Sequence, residues 1–166
     1  MGIIVSCFAP SDYVTPPGPN AEVEPPSGTG EALYRAARDG KVSLVRGLCS
    51  EWAGNVQALN WKDGAGRTPL YAACTNDYYE IVSVLICTSG VDINMPTHSG
   101  RSPLWIAAHY GYTQSVRALL SAKERGLDIK HRATGGEDKG KTALMAAREQ
   151  ASKGDMECAK VVKLLE

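Results

Sequence analysis

The stretch Thr68-Pro69-Leu70-Tyr71-Ala72-Ala73 returns in the same pattern as Ser102-Pro103-Leu104-Trp105-Ile106-Ala107 and as Thr142-Ala143-Leu144-Met145-Ala146-Ala147. A weaker fourth copy runs from Glu31 to Ala37. The leucines that mark the copies, Leu33, Leu70, Leu104 and Leu144, are separated by 37, 34 and 40 residues. Repeats at this period indicate supersecondary units that stack on one another. The sequence therefore predicts a solenoid of four repeats.

Each copy predicts two short helices that follow a turn. The first helix begins at the quoted motif, and a second apolar run, such as Ile81-Val82-x-x-Leu85, comes a few polar residues later. Residues 60–67 and 94–101 lie between units and contain glycines, which allow the positive φ angles of a tight turn. The predicted unit is thus turn, helix, helix.

This unit resembles the ankyrin repeat, whose signature joins a Thr-Pro-Leu-His helix start to a glycine-rich finger. In that pattern the threonine caps the helix, proline fills its first turn, and the alanine pair lets neighbouring repeats approach closely. The resemblance implies an all-α fold over residues 31–166, with repeats at about 31–59, 60–93, 94–129 and 130–166. The chain departs from the signature at its histidine, which is replaced by Tyr71, Trp105 and Met145. We therefore expect packing of bulky side chains, rather than hydrogen bonds between fingers, to hold these three positions.

The two ends of the array are less regular than its centre. The first repeat lacks a finger of its own and carries several charged residues, which is typical of a polar N-terminal cap. The fourth repeat has about four extra residues in its finger, from Ala133 to Lys139, and about six between its helices, from Ala151 to Met156. The outer face of this repeat is either masked by Lys160, Lys163 and Glu166 or left as an apolar strip for a partner.

The amino-acid composition limits the classes of partner and the cellular compartment that can be expected. Lys and Arg together number 18, as do Asp and Glu, so the charge balance does not favour nucleic acid as a partner. The five cysteines include no C-x-x-C pair, and we expect Cys49, Cys74 and Cys87 to be free buried thiols in a reducing compartment. No apolar run has the length of a membrane span, and the start of the chain lacks the features of a secretory signal.

Residues 1–8 fit the pattern M-G-x-x-x-[ST], with Gly2 after the initiator and Ser6 at the required position. This resembles an N-myristoylation signal, and Cys7 beside it is a candidate palmitoylation site. One myristoyl chain binds membranes only marginally, so stable attachment needs a second signal. No Lys or Arg precedes Arg35, which leaves Cys7 rather than a polybasic patch as that signal. The alternative is an unmodified, disordered start that matches the motif by chance.

Residues 9–30 are rich in proline and glycine, a composition that cannot form a packed core. We interpret them as a linker that separates the repeats from an anchor. Pro16 and Pro19 also have the PxxP spacing of ligands for SH3 or WW domains. No Lys or Arg flanks this motif, so the spacer is the preferred interpretation.

The resemblance also implies a partner surface, because ankyrin proteins usually bind partners in their concave groove. Equivalent positions in successive repeats place Arg67, Arg101 and Lys141 along the fingers, as a basic stripe or as three separately solvated side chains. His98 and His131 are expected at exposed fingertips. Tyrosine with arginine neighbours is typical of binding hot spots. The predicted partner-binding residues are Arg67, Thr75, Asn76, His98, Arg101, His109, Tyr110 and Lys141.

The sequence contains little that would indicate a catalytic site. Residues 135–142 match G-x-x-x-x-G-K-[ST], but a phosphate-binding loop must follow a buried strand of a larger α/β domain, and Thr142 is already explained as a helix cap. The three histidines lie in different repeats, with no cysteine or carboxylate at the spacing of metal ligands. We therefore expect no catalytic residues, no metal, no cofactor and no small-molecule substrate.

The sequence favours a non-enzymatic protein-binding module, tethered as an adaptor to the cytoplasmic face of a membrane. The alternative is a soluble ankyrin-type inhibitor or regulator of a kinase or transcription factor. A nucleotide-binding protein that uses residues 135–142 is a remote third possibility.

Overall fold

A computed structural model describes residues 29–166, which form a stack of paired helices. The helices are α1 (Thr29–Arg38), α2 (Val42–Glu51), α3 (Val56–Leu59), α4 (Pro69–Thr75), α5 (Tyr79–Cys87), α6 (Pro103–His109), α7 (Thr113–Leu120), α8 (Ala143–Ser152) and α9 (Met156–Leu165). Two short 3₁₀ turns, Lys123–Arg125 and Gly136–Asp138, precede α8. The first helix thus begins two residues before the predicted start of the repeats.

The helices form two layers. Helices α1, α4, α6 and α8 pack side by side in the first layer, and α2, α5, α7 and α9 pack in the second. The core between the layers is built from the marker leucines Leu33, Leu70 and Leu104, the small residues that follow the markers and the apolar run of each second helix. Within residues 29–166, the only β-bridge joins Arg132 to Thr142. The predicted all-α ankyrin-type solenoid is therefore confirmed.

The first helices begin as the repeated motif predicts. The hydroxyl groups of Thr68, Ser102 and Thr142 each accept a hydrogen bond from a backbone N–H three residues later, at 3.2, 3.2 and 3.3 Å. Pro69 and Pro103 occupy the first helical position, where no N–H is required. A side-chain cap of this kind contributes about 1 kcal/mol to helix stability.

Two asparagines connect successive turns between the repeats. Asn60 Nδ2 donates to the carbonyl of Gly90 at 2.7 Å, and its Oδ1 accepts from the N–H of Asp92 at 2.7 Å. Asn94 repeats this arrangement one unit later, with Gly126 and Asp128 as its partners, both at 2.8 Å. Each amide therefore pairs with the backbone that leads into the next turn, as a strand neighbour would.

The fourth repeat differs from the sequence prediction. Its first helix, α8, has 10 residues, whereas α4 and α6 have 7. The link between the two helices of a repeat is three residues long in the second, third and fourth repeats. The extra residues therefore lengthen α8 by about one turn, and the predicted insertion of six residues between the helices is wrong. Residues 148–152 continue the helix because Arg, Glu, Gln and Ala are good helix formers.

The outer face of the fourth repeat is partly polar. Arg148 occupies the position of Ala37, Cys74 and Ala108, which are completely buried in the other repeats. It pairs with Glu166 at 2.7 Å. Met145 is 46% exposed, whereas the equivalent Trp105 is 1% exposed. The expectation that packing holds Met145 is therefore wrong, because no described residue packs over this face.

The cysteines agree with the prediction except at one position. Cys49 and Cys74 are buried, and so is Cys158. Cys87 is exposed, which contradicts the prediction of a buried thiol. Helix α5 turns Ile81, Val82, Leu85 and Ile86 to the core, so position 87 falls on its opposite face.

Several predictions concern residues outside the described range. The acylation signal at Gly2 and Cys7, the PxxP motif and residues 9–28 of the proline-rich spacer lie outside the described range, and they stay predictions. The last two residues predicted for the spacer, 29 and 30, belong to helix α1 instead. None of the helices in residues 29–166 has the length and apolar character needed to cross a membrane.

Candidate partner-binding surface

The predicted partner-binding residues lie along the first helices and the fingers, a surface that we call the groove. Thr75 and Asn76 end helix α4, and His109 and Tyr110 end helix α6, so the same positions of two neighbouring repeats face the groove. Asn76 Nδ2 donates to the carbonyls of Ala72 at 2.9 Å and of Arg38 at 3.4 Å. The second contact crosses to the preceding repeat and orders the amide.

Aromatic side chains form the centre of the groove. The imidazole of His109 stacks on the indole of Trp105, with ring centroids 4.9 Å apart and an angle of 13° between the planes. Tyr110 meets His109 edge to face at 5.0 Å and lies 5.6 Å from Tyr112. Tyr110 remains 49% exposed. The result is a large apolar side chain that is held in place by its neighbours yet accessible to a partner.

Burial keeps His109 and Tyr71 uncharged near neutral pH. Burial lowers the pKa of His109 below its ordinary value of 6.5. Burial also raises the pKa of Tyr71, which precedes Trp105 by one repeat, to about 12. The centre of the groove is therefore a neutral aromatic surface.

The basic residues of the fingers are paired with carboxylates. Arg67 contacts Asp63 in its own finger at 2.6 Å. Burial alone would raise the pKa of Asp63, but hydrogen bonds from Arg67, Ala65 and Tyr34 outweigh it and lower the pKa to about 2. Asp63 therefore stays ionised and neutralises Arg67 over the whole physiological range.

Arg101 belongs to a larger charged network between the third and fourth repeats. Its guanidinium pairs with Asp138 of the next finger and lies over the ring of Trp105, 4.9 Å from the centroid. Lys141 contacts the same Asp138 at 3.3 Å and Glu149 at 2.6 Å. Burial would raise the pKa of Asp138, yet the hydrogen bonds from Arg101 and Lys141 outweigh it, and the pKa falls below its ordinary value.

The structure therefore corrects the idea of a basic stripe. Arg67, Arg101 and Lys141 do lie at equivalent places, but each is paired with a carboxylate, so neither an uncompensated positive surface nor three separately solvated side chains is present. Sequence reasoning did not identify Asp63 and Asp138 as their partners. The i, i+4 spacing of Asp63 and Arg67 could have indicated the first pair, whereas the second depends on how the extended fourth finger folds.

A shallow pocket of about 190 Å³ lies in the groove between the first two repeats. It is lined by Tyr34, Arg38, Arg67, Ala72, Thr75 and Asn76. Tyr34 Oη donates to Asp63 at 2.9 Å, which ties the first helix to the next finger. Three predicted partner-binding residues, Arg67, Thr75 and Asn76, thus meet in one depression.

The two fingertip histidines differ. His98 is exposed, as predicted. His131 is half-buried, and its Nε2 donates to the carbonyl of Gly100 in the preceding finger at 2.9 Å. The prediction of an exposed fingertip is wrong for His131, because the third and fourth fingers pack together and bring that carbonyl within reach. Hydrogen bonding between fingers therefore does occur here, through a different histidine from that of the signature.

Residues 135–142 form a finger rather than a phosphate-binding loop. The segment contains the 3₁₀ turn Gly136–Asp138, and Lys141 is engaged by two carboxylates. Ala133 donates to the carbonyl of Lys141 at 3.0 Å, which closes the segment on itself as a turn. Within residues 29–166, no group of three or more His, Cys, Asp or Glu side chains could hold a metal ion.

Comparison with known proteins identifies the repeats. A family model described as ankyrin repeats (3 copies) matches residues 15–97 and again residues 89–165. The chain is 36% identical over 95 residues to a rice protein described as a probable E3 ubiquitin-protein ligase, XBOS32, and these residues are 57% of the chain and 18% of that protein.

Two fungal relatives also match the chain over small parts of their own length. The chain is 30% identical over 141 residues to the ankyrin repeat domain-containing protein SAT10 of Stachybotrys chartarum, which covers 79% of the chain and 7% of the relative. The chain is also 36% identical over 70 residues to the target of rapamycin complex 2 subunit AVO2 of Saccharomyces cerevisiae. These residues are 42% of the chain and 16% of that protein. The chain therefore spans less than a fifth of each of these three relatives.

Proposed function

Because the chain belongs to the ankyrin-repeat family, whose repeats form protein-interaction modules, we propose that residues 29–166 bind one partner protein through the groove. The proposed role is non-enzymatic. The partner inserts an apolar or aromatic segment against Tyr110 and contacts Thr75, Asn76 and His98 at the edges of the groove.

The observation that carries this proposal is the position of Tyr110. Tyrosine is enriched among residues that dominate binding energy, and it contributes most when its neighbours already hold it in the bound geometry. Tyr110 is half-exposed and lies against His109, which in turn stacks on the buried Trp105. Little side-chain entropy is therefore lost when a partner covers it.

The test is proximity labelling in the native cell, followed by binding measurements with the captured protein. Tyr110→Ala should weaken binding by about 30-fold or more, which corresponds to about 2 kcal/mol. The matched control is Tyr79→Ala, since Tyr79 is 46% exposed but belongs to the second helix layer. If both variants bind as tightly as the wild type, the groove is not the partner surface, and the outer face of the fourth repeat with Met145 becomes the better candidate.

A membrane tether is supported by the sequence of residues 1–8 alone. With Met1 as the initiator, Gly2 accepts myristate and Cys7 accepts palmitate. Two acyl chains bury enough methylene groups, at about 0.8 kcal/mol each, to turn transient attachment into stable attachment. The protein would then act as an adaptor on the cytoplasmic face of a membrane.

Fractionation of cells that express the full chain tests the tether. Gly2→Ala should release the protein from the membrane fraction, while Cys7→Ser should leave weak, exchanging association through myristate. Mass spectrometry of the native protein shows the modification directly. An unmodified or acetylated N-terminus would exclude the adaptor and favour a soluble ankyrin-type regulator of a kinase or transcription factor.

A further inference from the structure

Three tyrosines line one edge of the stack, where the chain passes from the first helix of a repeat to the second. Tyr78 lies between α4 and α5, and Tyr110 and Tyr112 lie between α6 and α7. Tyr78 is 37% exposed, and Tyr112 is half-buried. We call these three residues the tyrosine strip. Its side chains combine apolar rings with hydroxyl groups that can donate hydrogen bonds.

The strip has the periodicity of the repeats. Tyr78 and Tyr112 are equivalent, because each immediately precedes the second helix of its repeat. The ring of Tyr78 lies against Gly40, so that it reaches back over the preceding repeat. Packed helices are about 8–10 Å apart, so the equivalent residues Tyr78 and Tyr112 are about 9 Å apart along the stack, with Tyr110 beside Tyr112.

This spacing matches one turn of a polyproline II helix. Such a helix has three residues per turn and rises about 3.1 Å per residue, so prolines at i and i+3 are about 9 Å apart on one face. Surfaces lined by aromatic residues bind PxxP segments in this conformation, because the extended chain is already ordered and its carbonyls are unpaired. The strip therefore fits a partner with the PxxP spacing.

We propose that the tyrosine strip binds the proline-rich segment of this same chain, with Pro16 and Pro19 against the rings of successive repeats. The segment can reach the strip. Pro19 is ten residues from Thr29, a span of about 31 Å in polyproline II. Trp61, in the finger of the second repeat, packs on Gly30, so α1 begins at the finger end of the stack. Helix α1 is about 15 Å long, and the strip lies one to two repeats farther on, which together require about 25 Å.

Charge favours this occupant as well. Residues 1–28 contain three acidic residues, Asp12, Glu22 and Glu24, and no Lys or Arg, which gives a formal charge of −3. The remaining residues hold all 18 basic residues and the other 15 acidic ones, which gives +3. The opposite net charges favour association of the segment with the stack as a whole, and the aromatic rings of the tyrosine strip select where it docks.

Docking of the segment regulates the groove. Tyr110 belongs to both surfaces, so the segment and a partner cannot cover it together. This consequence rests on the proposed function, since it requires that a partner uses Tyr110. The docking itself does not depend on any partner and is tested without one.

The experiment is ¹⁵N NMR spectroscopy of the full chain, with Pro16→Ala/Pro19→Ala compared with the wild type. We expect the amide signals of Tyr78, Tyr110 and Tyr112 to shift. The transverse relaxation rates of the amides of Val14, Thr15, Gly18 and Asn20 should fall at least twofold, because the released segment tumbles independently. Pro25→Ala/Pro26→Ala is the matched control and should change neither. Tyr110→Ala, which alters the strip instead of the segment, should produce the same fall in the relaxation rates.

Three outcomes would overturn the proposal. One is that the spectrum and relaxation rates of Pro16→Ala/Pro19→Ala equal those of the wild type apart from the substituted sites. Another is that the shifts disappear on tenfold dilution, which would assign the contact to a second copy of the chain. The third is that an added proline decapeptide shifts the tyrosine strip signals while the tail variants do not, which would assign the strip to an external proline-rich partner.

Discussion

The carboxylate of Asp77 accepts a hydrogen bond of 2.7 Å from the hydroxyl of Ser115, which is completely buried in the next repeat. Asp77 has a φ of 55°, in the left-handed region, whereas the other three repeats have Gly40, Gly111 and Gly154 at this position. Left-handed backbone costs a non-glycine residue about 1 kcal/mol or more. A contact between repeats therefore compensates a locally unfavourable conformation.

Ser115→Ala should destabilise the wild type by about 1 kcal/mol, because it removes this hydrogen bond. Asp77→Gly should then have opposite effects in two backgrounds. It should be neutral or destabilising in the wild type, where it leaves the Ser115 hydroxyl unpaired, and stabilising by about 1 kcal/mol in Ser115→Ala, where only the strain is relieved. Urea unfolding of the wild type, the two single variants and the double variant gives the free energies of this double-mutant cycle. Equal effects of Asp77→Gly in both backgrounds would show that the two residues are not coupled.

Stability should fall in acid through Asp63. Its pKa is about 2 in the folded protein against an ordinary value of 3.8. The carboxylate is therefore ionised more readily when folded, and its contribution is complete above about pH 4 and lost as the pH falls towards 2. The loss should be about 1 kcal/mol, because Arg67 is half-exposed and water screens the pair.

Urea unfolding at pH 7, 4, 3 and 2.5 measures the acid effect, with Asp63→Asn as the test. The variant should be less stable at pH 7 and should lose less stability between pH 4 and 2.5 than the wild type. Glu80→Gln, which removes an exposed carboxylate, is the control. If Asp63→Asn loses as much stability in acid as the wild type, other carboxylates are responsible for the acid dependence.

Asp138→Ala should loosen the fourth repeat. The carboxylate is mostly buried and is shared by Arg101 and Lys141, so its removal leaves two cations close together. We expect a loss of about 2 kcal/mol, less than for a fully buried pair because both bases are partly exposed. Hydrogen exchange should become faster in residues 130–142 and α8 before it does so in α4 and α5. Uniform acceleration over all four repeats would contradict this local role.

Two glycines offer a matched test of close packing between fingers. Gly100 has a φ of 74°, and a Cβ atom there would overlap Thr134 of the next finger, while Gly136 has a φ of 69° with open space around it. Gly136→Ala should cost only the left-handed conformation, about 1 kcal/mol. Gly100→Ala should cost at least twice as much, because the fingers must also separate. Thermal unfolding measures both, and equal costs would mean that the fingers are not in contact in solution.

The repeated motif predicted most of the fold because each of its residues has a local physical role. Thr68 and Ser102 cap helices, and the prolines after them fit the first turn whatever surrounds them. Helix α8 was predicted less well, since the choice between a longer helix and a longer link depends on where Gly154 ends it. Cys87 was assigned to the core because it lies at the end of the apolar run of α5, and the prediction did not consider which face of the helix each residue occupies.

The sequence could place the basic residues of the candidate site along the stack, but it could not show how their charges are paired. Equivalent positions in a solenoid lie side by side, so Arg67, Arg101 and Lys141 could be placed along the fingers from the sequence. Their carboxylate partners could not, because Asp138 lies in an irregular turn whose path is set by contacts with the preceding finger. The exposure of Tyr110 followed from the repeat, whereas its stacking through His109 onto Trp105 needed coordinates.

The asparagine pairs between repeats bear on how the molecule unfolds. A solenoid unfolds as one unit only while each interface is stable enough to couple its neighbours. Asn60 supplies two hydrogen bonds to Gly90 and Asp92, and Asn94 supplies two to Gly126 and Asp128. The third and fourth repeats are joined further by His131 with Gly100 and by Arg101 with Asp138. The last interface therefore has its own contacts that couple the two repeats. Mild denaturant should unfold residues 60–166 in a single transition, without a populated three-repeat form.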